Sequence, residues 1–259
     1  MSKLKRLIVI GLVMSLFGSG EASAENRIDV EVTADYFGKY IWRGQNIDDD
    51  PVLQPSISGG YRNLTATIWG NLELTNINDK SGDFSELDYS FDYSDMLPGI
   101  DGIGYSVGVI YYDFPSRAAD GTKPPDTTEL YWGLTFDLPL NPSVTAYHDV
   151  DEADGSYVSL AIIHSTEAIA RLGQTPIRME IGASLGWGSS SYNRYYWGTD
   201  RSRMQDLAFL VSFPVQFASW TVIPSVNYVT LVSSDIRDTD AYGTDSDFFV
   251  AGVGLSKKF

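Results

Sequence analysis

The chain has two histidines, His148 and His164, and neither has a serine or a carboxylate at a spacing that would build a nucleophile, base and acid triad. Asp149, Asp151 and Glu152 lie near His148 and could form a carboxylate-His pair, but no G-x-S-x-G turn or paired-His zinc motif accompanies them. The expectation is no enzyme, no catalytic residue, no metal centre and no cofactor. Cysteine is absent, which excludes a disulfide framework and a lipid-bearing Cys. The chain is instead rich in carboxylate, with 34 Asp and Glu against 18 Lys and Arg and a formal charge of −16. Such a charge repels nucleic acid and attracts cations. Asp48-Asp49-Asp50 and the stretch 149–155 carry hard oxygen ligands of the kind calcium takes, though without the EF-hand order. Solvated loop charge, bridged by divalent ions to lipopolysaccharide, is the other account of them.

Which acids converge depends on the elements that carry them, and those elements alternate. Val30, Val32, Ala34, Tyr36, Tyr40 and Trp42 share one parity, while Asp29, Glu31, Asp35, Lys39 and Arg43 share the opposite one or follow it. The pattern recurs through Leu53, Ile57 and Tyr61; Leu64, Ala66 and Ile68; Leu87, Tyr89 and Phe91; and Ile103, Tyr105, Val107 and Val109. It continues through Leu130, Trp132 and Leu134; Val144 and Ala146; Val158, Leu160 and Ile162; and Ile181, Ala183, Leu185 and Trp187. Leu207, Phe209 and Val211, then Trp220, Val222 and Tyr228, then Phe249, Ala251, Val253 and Leu255 complete it. At about ten residues each, these segments match tilted strands that cross a bilayer. Their number is about twelve; ambiguous parity around Val144 and Val158 leaves ten or fourteen open.

Short connections near 61–63, 138–142 and 214–218 alternate with long polar ones at 45–50, 76–83, 115–126, 149–155, 189–203 and 233–247. Short turns alternating with long loops mark an antiparallel up-and-down barrel in a membrane, with both termini on the periplasmic side. A secreted sandwich or a lipocalin-like barrel is the alternative all-β fold. Lys3, Lys5 and Arg6 ahead of an apolar run, with Ala22-Ser23-Ala24 before Glu25, read as a secretory signal over 1–24, leaving 25–259 as one barrel domain. Its removal carries the formal charge from −16 to −18. The chain stops at Phe259 with an apolar parity behind it. Bacterial outer-membrane proteins, which this tail resembles, end in such a Phe, and that resemblance implies recognition of Phe259 by the assembly machinery. Lys257 departs from the pattern.

Asp35-Tyr36, Tyr40-Ile41-Trp42-Arg43-Gly44-Gln45, Pro51-Val52-Leu53-Gln54 and Trp69-Gly70-Asn71 are similar to the N-terminal signature of the TorF-type porin family. The resemblance covers about the first seventy residues and implies an outer-membrane barrel of porin type, without a settled solute or a catalytic site.

If the apolar parity faces lipid, the other parity lines a lumen with Asp29, Glu31, Asp35, Glu73, Glu86, Asp88, Asp92, Glu129, Asp137 and Glu180, against Lys39, Arg43 and Arg178. Trp69, Tyr112 and Tyr131 point the same way. Gly104, Gly108, Gly133, Gly182, Gly186, Gly252 and Gly254 on that face widen the lumen, admit an inward loop or ease strand coiling. Confined carboxylates reject anions, so the expectation is a porin-like channel for passive diffusion of small hydrophilic solutes, preferring cations. A closed structural or ligand-binding barrel, its acids paired inside a narrow interior, is the alternative, with an outer-membrane enzyme using a carboxylate-His site at the rim behind it. The expected surroundings are outer-membrane lipid and lipopolysaccharide.

Overall fold

The computed structural model describes residues 28–76, 81–116 and 122–259. The expected signal at 1–24 lies outside them. Twelve long strands form the wall: β1 (Asp29–Phe37), β2 (Val52–Tyr61), β3 (Leu64–Glu73), β4 (Phe84–Met96), β5 (Ile103–Asp113), β6 (Thr127–Phe136), β7 (Ser143–Asp149), β8 (Gly155–Ser165), β9 (Glu180–Gly188), β10 (Arg203–Ser212), β11 (Trp220–Leu231) and β12 (Asp247–Lys258). Each pairs antiparallel with its sequence neighbours, and β12 pairs with β1 through Glu31↔Lys258 to Phe37↔Gly252. The last residue joins this seam, its Phe259 N–H donating to the Val30 carbonyl at 2.9 Å. The sheet therefore has no free long edge, and the expected all-β barrel of twelve strands is observed.

The alternating parity separates the two faces as the sequence predicts. Ile57, Ile68, Phe91, Val107, Leu130, Trp132, Leu160, Phe209 and Val253 point outward and are exposed. Rings collect near both strand ends, with Tyr93 and Tyr105 at 6.1 Å toward one rim and Tyr89 and Tyr111 at 6.3 Å toward the other. An apolar belt between aromatic girdles is the surface that a bilayer requires of a strand wall. Among the described residues no helix is long and apolar enough to cross a membrane.

Three expectations change. First, β1 ends at Phe37, so Tyr40 and Trp42 do not continue its outward face. Strands Tyr40–Trp42 and Gln45–Asp48 pair only with each other and fold into the barrel. Arg43 at φ 49 and Gly44 at φ 81 form their tight turn; two consecutive left-handed residues match the twist of a two-residue hairpin. Second, loop length does not segregate everywhere. The connection 150–154 at the long-loop end is short, whereas 166–179 at the short-turn end carries its own hairpin, Ala170–Leu172 with Thr175–Ile177. Third, 189–202 is not irregular throughout. It contains helix α1 (Ser190–Trp197), capped by the Ser189 hydroxyl, which accepts from the Tyr192 N–H, and ended by Gly198 at φ 73. A one-turn helix, α2 (Ser234–Arg237), follows β11.

Candidate functional site

The inward hairpin brings one side chain to the centre of the long-loop half. Arg43 is 0% exposed and Glu129, on β6, 1%. The guanidinium donates from Nη1 and Nη2 to the two carboxylate oxygens at 2.6 and 2.7 Å, and from Nη1 to the Tyr192 hydroxyl at 3.1 Å. A fork-to-fork pair of this kind fixes orientation as well as charge. Its carbon lies 4.4 Å from the rings of Trp42 and Tyr147 and 4.5 Å from that of Tyr157. Tyr112 donates to Glu129 at 2.8 Å, fixing the carboxylate from β5. Arg43 is the one buried base among the described residues.

The turn seats closely because Gly44 carries no side chain: a Cβ there would meet Leu231 of β11 at 2.7 Å and Asp206 of β10 at 3.0 Å. Tyr40 packs on Trp69 of β3 at 5.8 Å and lies beside Glu86 of β4. Trp42 meets Tyr112 of β5 at 5.9 Å and Tyr196 of α1 at 5.5 Å. Helix α1 fills the remaining space. Gly155 at the start of β8 lies so close that a Cβ there would strike the Tyr192 backbone. Asn193 is fully buried, donating to the carbonyls of Gly188 at 3.1 Å and Arg201 at 2.7 Å and accepting from Gln205 at 2.6 Å. Three further carboxylates are taken up by hydroxyl donors: Asp206 by Tyr157 at 3.0 Å, Asp149 by Thr127 at 2.8 Å and Asp92 by Tyr131 at 2.6 Å.

Toward the short-turn end Thr33, Ser56, Ser58, Gly104, Ser143, Ser159, Ala161 and Ser184 face inward, small and half-exposed, beside the buried Ile163, Leu210 and Ile223. Glu31 accepts from Ser256 at 2.6 Å and pairs with Lys258 at 3.3 Å; Glu180 accepts from Ser165 at 3.2 Å and Ser212 at 3.3 Å. Small half-exposed side chains are thus confined to the short-turn half, and the long-loop half is packed with large ones.

The residues assigned to the lumen by parity divide accordingly. Glu31, Asp35, Trp69, Glu73, Glu86, Asp88, Asp92, Glu129 and Glu180 sit on strand faces turned inward, as do Tyr112 and Tyr131. Arg43 is inside, but from the hairpin turn and not from a wall strand. Lys39 lies outside the wall, half-buried and paired with Asp49 in the loop. Asp29 stands exposed at the first position of β1, Asp137 in the turn after β6, and Arg178 just ahead of β9. These three belong to the rim. His148 and His164 share the outward parity of β7 and β8, with His148 Nδ1 beside the Ser156 hydroxyl at 3.0 Å. Asp149 does not point to solvent with its loop: it also accepts from the N–H groups of Asp151 and Ala153 at 3.0 and 3.2 Å, closing the turn.

Sequence reasoning missed Asp206, Tyr147, Tyr157, Tyr192 and Gln205. Tyr147 and Tyr157 share the inward parity of Thr145 and Ser159 and were legible there. Asp206 and Gln205 are both buried, because a bulge opposite Leu185 and Trp187 breaks the parity of β10.

An outer-membrane channel from Pseudomonas putida F1 shares this architecture, with TM-score 0.51 and 11% identity over 93% of this chain and 98% of its own. The chain has an outer-membrane barrel fold. LpxR from Salmonella typhimurium gives TM-score 0.50 at 8% identity over 88% of this chain and 99% of its own, and the NanC porin 0.49 at 14% over 89% and 100%. No protein-family model matches the chain, and no curated protein does.

Proposed function

We propose that this barrel is an outer-membrane, porin-like channel for small hydrophilic solutes with a preference for cations, shut at its outer end by the hairpin 40–48. In this reading the long loops face outside and both termini the periplasm, and Phe259 is the residue read during assembly. The resemblance of Arg43-Gly44-Gln45 and Leu53-Gln54 to TorF-type porins supports the same assignment.

The observation that carries the preference is the charge of the inward face. Among the described residues Glu31, Asp35, Glu86, Asp88, Asp92, Glu129, Asp149, Glu180 and Asp206 face the interior, while Arg43 answers Glu129, Lys258 answers Glu31 and Arg178 at the rim acts on Glu180. A confined excess of carboxylate raises the local concentration of cations and excludes anions. The packed long-loop half favours a second reading, a closed structural or ligand-binding barrel.

Planar-bilayer recordings separate them. Replacing residues 40–48 by a short Gly-Ser linker should convert a low-current protein into one with steady current, and a potassium chloride gradient should then give a reversal potential of cation sign. Anion preference would reject the charge argument. Absence of current from the linker variant would leave the closed barrel.

A further inference from the structure

The receptor around Arg43 is built almost wholly by the barrel and not by the segment that fills it. Glu129 comes from β6, Tyr147 and Tyr157 from β7 and β8, Tyr112 from β5 and Tyr192 from α1; Trp42 alone travels with the hairpin. The match is to a planar delocalised cation, with a carboxylate fork in its plane and aromatic faces over it. Arg43 is held by the outer end of its fork, since its Nε has no hydrogen-bond partner among the described residues. The strands of the hairpin pair only with each other, so no backbone ladder ties them to the wall. Its seat therefore depends on side-chain contacts: those of Tyr40, Ile41 and Trp42 with the wall and α1, and those of the Arg43 head group, which another molecule with the same head group can replace.

We infer that this cage is a binding site for guanidinium-bearing solutes, that Arg43 is its tethered occupant, and that a free guanidinium compound displaces the hairpin and opens the long-loop end. The opening step rests on the channel reading; the binding step does not. A tethered occupant acts at an effective concentration of about millimolar order, so free ligand competes with it only in that range or above.

Ethylguanidinium, the severed end of an arginine side chain, is the probe, with urea as the neutral planar control. Calorimetry on the folded Arg43→Ala protein should show saturable binding of ethylguanidinium at a concentration at least tenfold below that needed by the unaltered protein. Binding should vanish in Arg43→Ala combined with Glu129→Gln, and urea should not bind. Should Arg43→Ala fail to give the heat-sensitive gel shift of a folded barrel, the linker variant of 40–48 keeps every wall residue and replaces it. No binding by the folded variant, or equal binding of urea, overturns the site. In bilayers the unaltered protein should open when ethylguanidinium is added on the long-loop side, and no response there overturns displacement. Saturable binding without current in any variant would sink the channel while leaving the site in place.

Discussion

Arg43 and Glu129 are both removed from water, and each is tolerable there only because of the other. Burying a lone charge costs several kcal/mol, and removing one partner of such a pair typically destabilises by about 3–5 kcal/mol. Glu129→Gln should therefore release the hairpin without dismantling the wall, whose pairing does not involve it. Trypsin provides the readout, because the Arg43–Gly44 bond is sheltered while the hairpin is docked. Cleavage after Arg43 should be slow in the unaltered protein and fast in Glu129→Gln; equal rates would show that the ion pair does not hold the tip. At Tyr157→Phe the effect should be smaller, about 1–3 kcal/mol for leaving the buried Asp206 oxygen without its donor, measured as a lower midpoint of urea unfolding. Parity alone placed Glu129, Asp88, Asp92 and Tyr112 correctly, since a strand has only two faces. It could not indicate that Arg43 belongs to a turn, because Tyr40 and Trp42 continue the alternation of β1 across the break at 38–39. The glycine after Arg43 was the signal available for a turn there, and the structure puts both residues in the left-handed region that a two-residue hairpin requires.

The inserted elements are held differently from the wall, and perturbations should separate them. Helix α1 leans on Gly155, so Gly155→Ala must push the Tyr192 backbone away from β8. Amide hydrogen exchange over 190–197 should then rise at least tenfold, while β4 to β6 keep their protection; unchanged exchange would mean that the helix is seated by Asn193 alone. The long loops carry a second tie. Asp235 of α2 accepts from Arg203 and Arg201, and the Arg203 hydrogen bond holds its carboxyl below the usual carboxylate range. A depressed value in the folded state gives a stabilising contribution that is present above the ordinary carboxylate pKa and lost as pH falls through the depressed value. Protection factors over 233–238 should thus be flat from pH 8 to 5 and fall only in stronger acid. In Asp235→Asn they should be low throughout. Neither inserted element was legible as such, because a polar loop and an inward-folded helix with buried Tyr192, Asn193 and Trp197 share the same composition. What decides between them is the space left by Gly155 and Gly188, a three-dimensional quantity.

At the scale of the whole barrel, the sequence was most informative where the physics is most repetitive. A closed wall forces every strand to turn one parity outward, and twelve repetitions of that constraint exposed both faces. Loop length was a weaker guide, because the connections 150–154 and 166–179 respond to local turn closure by Asp149 and to a separate small hairpin rather than to the side of the membrane. The wall also supplies a test that isolates its environment from its interior. Leu160 and Ala161 are consecutive on β8; Leu160 is 51% exposed on the outer face and Ala161 is half-exposed on the inner one. An arginine at a mid-strand outward position must enter hydrocarbon, which costs about 2–4 kcal/mol near the midplane of a bilayer. The same side chain one residue later enters a lumen whose neighbours, Ser143 and Ser184, are small and whose charge is negative. Leu160→Arg should consequently fold into liposomes with a stability lower by that amount, and Ala161→Arg should fold nearly as the unaltered protein does. Equal loss at both positions would mean that this parity does not separate lipid from water. The reverse order would turn the barrel inside out.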